Sequence, residues 1–181
     1  METYGEIETK RLLLRVPRLE DAPRVFEAYA RDPAVTRFLR WKPHESPEDA
    51  EAAMQARLQR LGSGAELSWL PCLRGSRELI GSISLTPGPR AEAELGYAFG
   101  HAFWGRGYAT EACESVLRWS LKEGGFSRIH ASCDVDNLAS LRVLEKLGMQ
   151  RERLAKDFTV HPNLSPKPRD CWIFSRIAAP H

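Results

Sequence analysis

Residues 104–112 read Trp-Gly-Arg-Gly-Tyr-Ala-Thr-Glu-Ala, and they join a predicted strand to a predicted helix through a glycine turn. Residues 93–99 alternate in polarity as a strand does, and residues 108–122 place apolar side chains on one helical face. Such a turn exposes backbone N–H groups at a helix N-terminus, where the helix dipole attracts an anion. The stretch therefore predicts a phosphate or pyrophosphate site, with Arg106 adding positive charge. The alternative is a helix start that binds no ligand, because short Gly-x-Gly patterns are common by chance.

On either side of this turn, the periodicity of the apolar residues predicts a mixed α/β domain. Strands are predicted at residues 12–16, 67–73, 79–85, 93–99, 129–135, 149–160 and 170–177. Helices are predicted at residues 20–31, 46–61, 108–122 and 137–147. Ser46 followed by Pro47 marks the start of the second helix, and Gly148 marks the end of the last. The order β-α-α-β-β-β-α-β-α-β-β predicts one central sheet in a single domain over residues 1–181.

The composition is that of an ordinary globular domain. A chain of 181 residues with 43% hydrophobic residues is long enough for one sizeable core. The formal net charge of +2 gives no support to nucleic-acid binding, and no segment approaches the roughly 20 apolar residues of a membrane span. The four cysteines form no Cys-x-x-Cys pair, which argues against a metal site or a disulfide scaffold. We expect a cytoplasmic monomer or homodimer with no metal, no membrane contact and no direct nucleic-acid contact.

A second pattern lies further along the chain. Residues 137–140, Asn-Leu-Ala-Ser, open the last predicted helix, and Gly148 ends it. Alone, this segment is typical of a capped helix in which Asn137 is a plain N-cap. Together with the glycine turn, it completes a series of strand, glycine turn, helix, strand and second helix headed by Asn-x-x-Ser. This joint order is more specific than either motif alone.

These motifs resemble the GNAT superfamily of N-acetyltransferases, in the branch of the ribosomal-protein N-terminal acetyltransferases (RimJ/RimL-like). Residues 9–15, Thr-Lys-Arg-Leu-Leu-Leu-Arg, resemble the first strand of that branch, and residues 94–97, Glu-Leu-Gly-Tyr, resemble its fourth. Residues 104–112 resemble its pyrophosphate loop, and residues 137–149 its last conserved helix. The resemblance spans residues 9–178. Trp104 stands where the family usually has Gln or Arg, but backbone amides do the binding in this loop.

The resemblance implies a mixed, mostly antiparallel sheet of about seven strands, with a V-shaped split between the fourth and fifth strands that holds acetyl-CoA. It implies that backbone groups of Phe99 and His101 hold the pantetheine and the acetyl carbonyl, and that Asn137 hydrogen-bonds to the pantetheine. Splayed strands have unpaired backbone groups that suit an amide-rich ligand. Backbone amides would cap the pyrophosphate at Arg106, Gly107, Tyr108, Ala109 and Thr110.

The implied reaction is direct transfer of the acetyl group to a primary amine. No cysteine or serine lies in a recognisable nucleophile motif, so an acyl-enzyme is not expected. The departing CoA thiolate needs a proton, and the family often supplies it from a tyrosine in the last helix, where this chain has Leu144. Ser140 stands where the ribosomal branch places a serine near the sulfur. The alternative is that Ser140 is an exposed serine in the first helical turn.

The acceptor amine must also lose a proton before it attacks. Glu94 is the first candidate for the base, because it lies in the strand that lines the split, but a register error of one residue would turn it to solvent. Asp157 is the second candidate, if the strand after Gly148 lies over the acceptor site. If the base acts through a water molecule, neither carboxylate has to occupy a fixed position in the sequence.

We therefore expect an acetyl-CoA-dependent N-acetyltransferase whose acceptor is a protein N-terminus or a small amine. The alternatives are a non-catalytic acyl-CoA-binding or sensing module and, with less support, a nucleotide-binding protein of another fold, since no P-loop or full dinucleotide fingerprint is present. The acceptor pocket should include a segment whose basic and aromatic side chains suit an acidic peptide or a ribosomal surface. The alternative is an ordinary solvated linker. These residues are Arg37, Phe38, Arg40, Trp41 and Lys42.

Overall fold

The computed structural model describes residues 4–179, so residues 1–3 and 180–181 of the predicted domain lie outside the described residues. Its strands are β1 (Ile7–Glu8), β2 (Leu12–Arg15), β3 (Leu67–Leu73), β4 (Gly81–Pro87), β5 (Glu92–Phe99), β6 (Arg128–Asp134), β7 (Gln150–Thr159) and β8 (Arg169–Ile177). They form one eight-stranded sheet in the order β1-β2-β3-β4-β5-β6-β8-β7. Only the β5–β6 pair is parallel among these neighbours. The predicted fold class is confirmed, and the two-residue β1 is one strand more than expected.

The helices are α1 (Ala22–Val25), α2 (Pro33–Thr36), α3 (Pro47–Gly62), α4 (Tyr108–Lys122) and α5 (Leu138–Lys146). The prediction of one helix over residues 20–31 is wrong in detail. A 3-10 turn precedes α1 and a π-helical turn follows it, because the Asp21 carboxylate accepts the Arg18 N–H and the Arg31 N–H bonds back to the Phe26 carbonyl. Asp32, which directly follows the predicted helix, caps α2 by accepting the Ala34 N–H at 2.8 Å.

The sheet separates two hydrophobic cores. On one face, α4 and α5 pack against the sheet through side chains such as Val116 and Leu144, which are almost fully buried. On the other face, the N-terminal helices pack through side chains such as Met54. Neighbouring residues of β3 serve the two cores in turn, because Trp69 belongs to the first and Leu70 to the second. This alternation is what a pleated strand buried on both faces requires.

The sheet opens between β5 and β6. These strands pair only at Glu92↔Arg128, Ala93↔Ile129 and Glu94↔His130. Beyond these pairs, β5 stays on β4 as far as Phe99, and β6 stays on β8 as far as Asp134. The two strands therefore diverge into the predicted V-shaped split, which lies between the fifth and sixth strands once β1 is counted.

Among residues 4–179, no helix combines the length and the apolar character that crossing a membrane requires.

Candidate active site

The backbone of β5 has unpaired groups along the split. The Gly88 N–H donates to the Glu92 carbonyl at 2.8 Å, and the Gly100 N–H donates to the Ile80 carbonyl at 2.9 Å. Hydrogen-bonded and non-hydrogen-bonded pairs alternate along antiparallel strands. The even-numbered residues of β5 therefore bond to β4, and the odd-numbered ones direct their N–H and C=O groups toward β6. Past the last β5–β6 pair, these groups face the open split at Leu95, Tyr97 and Phe99.

Trp104 orders the end of the split. Its indole N–H donates to the Phe99 carbonyl at 2.7 Å, and its ring centroid lies 4.6 Å from that of His101. The His101 carbonyl accepts the Trp104 backbone N–H at 3.1 Å. Both carbonyls are therefore used within the protein, and the Phe99 N–H is the group that faces the split. From the sequence, Trp104 is expected to replace the family's Gln or Arg without effect on the loop. In the structure, its indole N–H instead has a specific partner, the Phe99 carbonyl.

The glycine turn has the geometry of an anion cradle. Gly105 and Gly107 have φ values of 73° and 78°, in the left-handed region that glycine adopts without steric cost. Gly107 is the N-cap of α4, and its carbonyl accepts the Glu111 N–H at 3.0 Å. The three preceding N–H groups therefore have no partner inside the helix. They belong to Tyr108, Ala109 and Thr110, and the exposed Arg106 lies two residues before Tyr108.

Arg11 and Glu111, which the sequence does not assign to the site, hold this turn against the β1–β2 hairpin. Arg11 Nε donates to Glu111 Oε2 at 2.6 Å, and Arg11 Nη1 donates to the Arg106 carbonyl at 3.0 Å. Burial raises the pKa of Glu111, but hydrogen bonds from Thr9 and Arg11 outweigh it and leave the pKa below its usual value. Arg11 balances this carboxylate in the first turn of α4, so the N-terminus remains attractive to an anion.

A hydroxyl group of α5 meets a hydroxyl group of β5 at the start of α5. Asn137 caps the helix, since its side-chain oxygen accepts the Ser140 N–H at 3.2 Å. Ser140 Oγ lies 2.7 Å from the Tyr97 hydroxyl. Burial raises the pKa of Tyr97 far above its usual value, so this phenol stays neutral. The sequence analysis does not include Tyr97 among the site residues. Its odd-numbered position in β5, like those of Leu95 and Phe99, nevertheless indicates that it faces α4 and α5.

Glu94 lies on the opposite face of the sheet, and its side chain is 30% exposed. Its Oε1 atom accepts hydrogen bonds from Arg40 Nη2 at 2.8 Å and from Ser132 Oγ at 3.0 Å. Arg40 Nη2 also lies 3.0 Å from Ser132 Oγ. The strand register therefore turns Glu94 toward the split rather than to open solvent.

Asp157 does not join this group. It is exposed and lies where the β7–β8 register is irregular, between Ala155 and Thr159. Its φ of 44° is in the left-handed region, and its N–H donates to Asp170 Oδ1 at 3.1 Å. Because β7 is the last strand in the order, Asp157 lies at the outer edge of the sheet.

One cavity of about 270 Å³ extends through the split and connects the two faces. Residues from both faces line it: Tyr97, Asn137, Ser140, Arg40, Glu94 and His161. His161 is missed by the sequence analysis. It is 5% exposed, neither ring nitrogen makes a hydrogen bond, and Nε2 lies 3.4 Å from Asp134 Oδ2. Burial lowers the pKa of His161, although Asp134 opposes this shift.

Comparison with known proteins agrees with this geometry. Residues 11–150 match the family described as Acetyltransferase (GNAT) domain. The chain is 32% identical over 173 residues to the uncharacterized N-acetyltransferase YoaA of Bacillus subtilis (strain 168), covering 94% of this chain and 96% of YoaA. The chain therefore belongs to the GNAT family of acetyltransferases, and the family predicted from the motifs is confirmed.

Solved structures give the same fold. A GNAT-family acetyltransferase from Bacillus anthracis superimposes with a TM-score of 0.82 at 28% identity, covering 96% of this chain and 98% of that one. The ribosomal L7/L12 alpha-N-protein acetyltransferase RimL, in complex with coenzyme A as a disulfide with one of its cysteines, has a TM-score of 0.86 at 22% identity. That superposition covers 96% of this chain and 98% of RimL.

Proposed function

We propose that this chain, as a single domain, transfers an acetyl group from acetyl-CoA directly to the primary amine of a protein N-terminus or a small molecule. The observation that carries the proposal is the cavity through the split. It joins the side of the sheet that holds the anion cradle and a hydroxyl pair to the side that holds a carboxylate. Family membership supports the same reaction. A cytoplasmic setting, where acetyl-CoA is consumed, fits this activity.

We place acetyl-CoA in the split because backbone groups that line it lack hydrogen-bond partners. The pyrophosphate belongs at the start of α4, against the free N–H groups that follow Gly107. The pantetheine belongs along the odd-numbered backbone groups of β5, with Asn137 at its side. The Phe99 N–H then faces the acetyl carbonyl, where a hydrogen bond strengthens as negative charge develops on the oxygen. RimL, which shares this fold, was solved in complex with coenzyme A, and this supports the choice of cofactor.

Proton transfer is assigned to the two sides of the split. Glu94, directly or through one water molecule, takes a proton from the acceptor ammonium. The neutral amine attacks the thioester carbonyl, and the carbon–sulfur bond breaks. Ser140 donates a proton to the departing thiolate, and the neutral Tyr97 hydroxyl is placed to resupply or orient Ser140 at 2.7 Å. The attacking nitrogen then loses its second proton, which replaces the one that left Ser140, and Glu94 releases its proton to water. The net products are therefore acetylated amine, CoA thiol and one proton.

Two measurements on the purified full chain test this function. Thermal unfolding with acetyl-CoA, CoA, NAD and ATP separately tests cofactor binding, since a ligand of the native state raises the unfolding temperature. Release of the CoA thiol against a panel of peptides and small amines, with mass spectrometry of the products, tests turnover. We expect stabilisation by acetyl-CoA and CoA only, and acetylation of at least one amine class. Stabilisation without acetylation of any amine would instead support a non-catalytic acyl-CoA-binding module.

A further inference from the structure

Arg40 crosses the acceptor face of the split. It comes from the segment between α2 and α3, far in sequence from both strands, and it reaches Glu94 on β5 and Ser132 on β6. Its side chain is nevertheless 52% exposed. Exposed ion pairs contribute little net stability, so this guanidinium can change its partner at small cost. Its five N–H donors in a planar fork suit a carboxylate bound through two hydrogen bonds.

The other charged side chains of the cavity lining, Asp134 and Arg57, are already paired within the protein. Asp134 is fully buried and accepts two hydrogen bonds from Arg169, at 2.6 and 3.1 Å. Arg57, which also lines the cavity, lies 3.3 Å from Glu66. Two further cations, Arg37 and Lys42, are exposed on the same segment as Arg40. Exposed cations beside Arg40 in the chain favour the approach of an anionic partner.

We infer that the acceptor is an amine that carries a carboxylate close to its nitrogen, and that Arg40 recognises this carboxylate. The inference rests on the proposed acetyl transfer and names its substrate class. When Arg40 turns to the acceptor carboxylate, Glu94 loses its cationic partner while the ammonium group arrives beside it. Glu94 then accepts one proton from the ammonium, and the nitrogen lone pair forms the new bond to the acetyl carbon as the carbon–sulfur bond breaks. The acceptor thus releases the base that its own amine needs.

Matched acceptors test this inference on the full chain. Two peptides that differ only in Asp or Asn at the second position supply the macromolecular pair, and β-alanine with β-alaninamide supplies the small-molecule pair. The measurement is kcat/KM from CoA thiol release, with product identity from mass spectrometry. We expect the acid member of one pair to be favoured by about tenfold to a hundredfold, the range of one hydrogen bond between charged groups. The pair that shows the preference identifies the source of the carboxylate.

Arg40→Gln should reduce this preference to about one, and Arg40→Lys should keep part of it because the charge remains. Arg31→Gln is the matched control, since Arg31 forms an exposed pair with Glu27 at 3.0 Å away from the cavity and should keep the wild-type preference. Equal rates for both members of each pair in the wild type would overturn the inference and leave the proposed function standing. A preference that survives in Arg40→Gln, or an equal rise in all rates, would also overturn it. Cofactor binding with no acetylation of any acceptor would overturn the function itself.

Discussion

The two sides of the split are built from different kinds of parts. On the cofactor side, the groups are backbone amides positioned by short motifs, such as the left-handed Gly107 before α4 and the Asn137 cap of α5. On the acceptor side, the groups are side chains from distant segments, namely Arg40, Glu94 and Ser132. A site made of backbone groups tolerates substitution of the residues that carry them. A site made of side chains is altered when any one of those residues is substituted. We therefore expect the donor site to be general and the acceptor site to be particular to this chain.

The largest effect is expected at the backbone site. Valine at position 107 must adopt a φ near 78°, which a β-branched residue reaches only with strain, so the cradle is distorted. Loss of two amide contacts to the pyrophosphate, at about 1.5–3 kcal/mol each, predicts a fall in kcat/KM of about a thousandfold for Gly107→Val. Steady-state thiol release and the thermal shift with acetyl-CoA measure it. Gly125→Val is the control, because Gly125 has a φ of 77° with no atom within 4 Å of an added Cβ. If the Gly107→Val protein folds and acetyl-CoA raises its unfolding temperature as much as in the wild type, the pyrophosphate does not bind at this turn.

The acceptor side is tested next by Glu94→Gln. The amide keeps the shape of the carboxylate but cannot take a proton, so kcat/KM should fall by about a hundredfold or more. The loss should shrink as the pH rises toward the pKa of the acceptor amine, since more acceptor then arrives neutral. A pH profile of kcat/KM measures this.

Two further variants control for the loss of a carboxylate. Glu92→Gln removes a carboxylate of the same strand that pairs with Arg128 at 2.7 Å outside the cavity, and Asp157→Asn removes the second sequence-based candidate. We expect both to stay near wild-type rates. A loss in Glu94→Gln that is constant across pH would indicate positioning rather than proton transfer, and a normal rate would exclude Glu94 as the base.

A smaller effect is expected where side chains join the cofactor side. Ser140→Ala should lower kcat by about tenfold to a hundredfold with little change in the KM for acetyl-CoA, because the hydroxyl matters as charge appears on sulfur. Tyr97→Phe should lower kcat less. If the two hydroxyls act as one relay, the double variant should be no worse than Ser140→Ala alone. Additive losses measured by thiol release would show instead that they act separately.

The smallest effect concerns stability and pH. Burial lowers the pKa of His161 and of His44 below 6.5, so the unfolded chain binds protons at these sites more readily than the folded one. The free energy of unfolding should therefore fall as the pH drops below about 6.5. His161→Gln should reduce this fall between pH 7 and 5, and the double variant with His44→Gln should reduce it further. Urea unfolding at several pH values measures the slope, and an unchanged slope would contradict the assignment.

The helix starts on the side proposed to bind the cofactor can be predicted from the sequence because their signals are local. Gly107 and Asn137 mark the two helix starts, and the family resemblance supplied their shared role. The face of β5 on which Tyr97 lies can be predicted from its position in the strand. Its contact with Ser140 cannot, because the two residues are 43 positions apart in the chain. Arg40 is predicted only as one of five basic and aromatic residues of an acceptor segment, without its contacts to Glu94 and Ser132, and His161 is not predicted as a site residue. Each lies in an irregular segment whose path depends on packing against the finished sheet, which no local pattern specifies.

The β5–β6 pairing, with only three residue pairs, also marks a boundary in the sheet between strands from earlier and later parts of the chain. Strands β1 to β5 come from residues 7–99 of the chain, and β6 to β8 come from residues 128–177. The two groups of strands are paired only over this short stretch, and helix α4 connects β5 to β6 across one face of the sheet. A pantetheine bound in the gap would supply amide groups to the edge of β5 and so act as a partial strand. The donor molecule would then be both a reactant and a structural tie that makes the two groups of strands unfold as one unit.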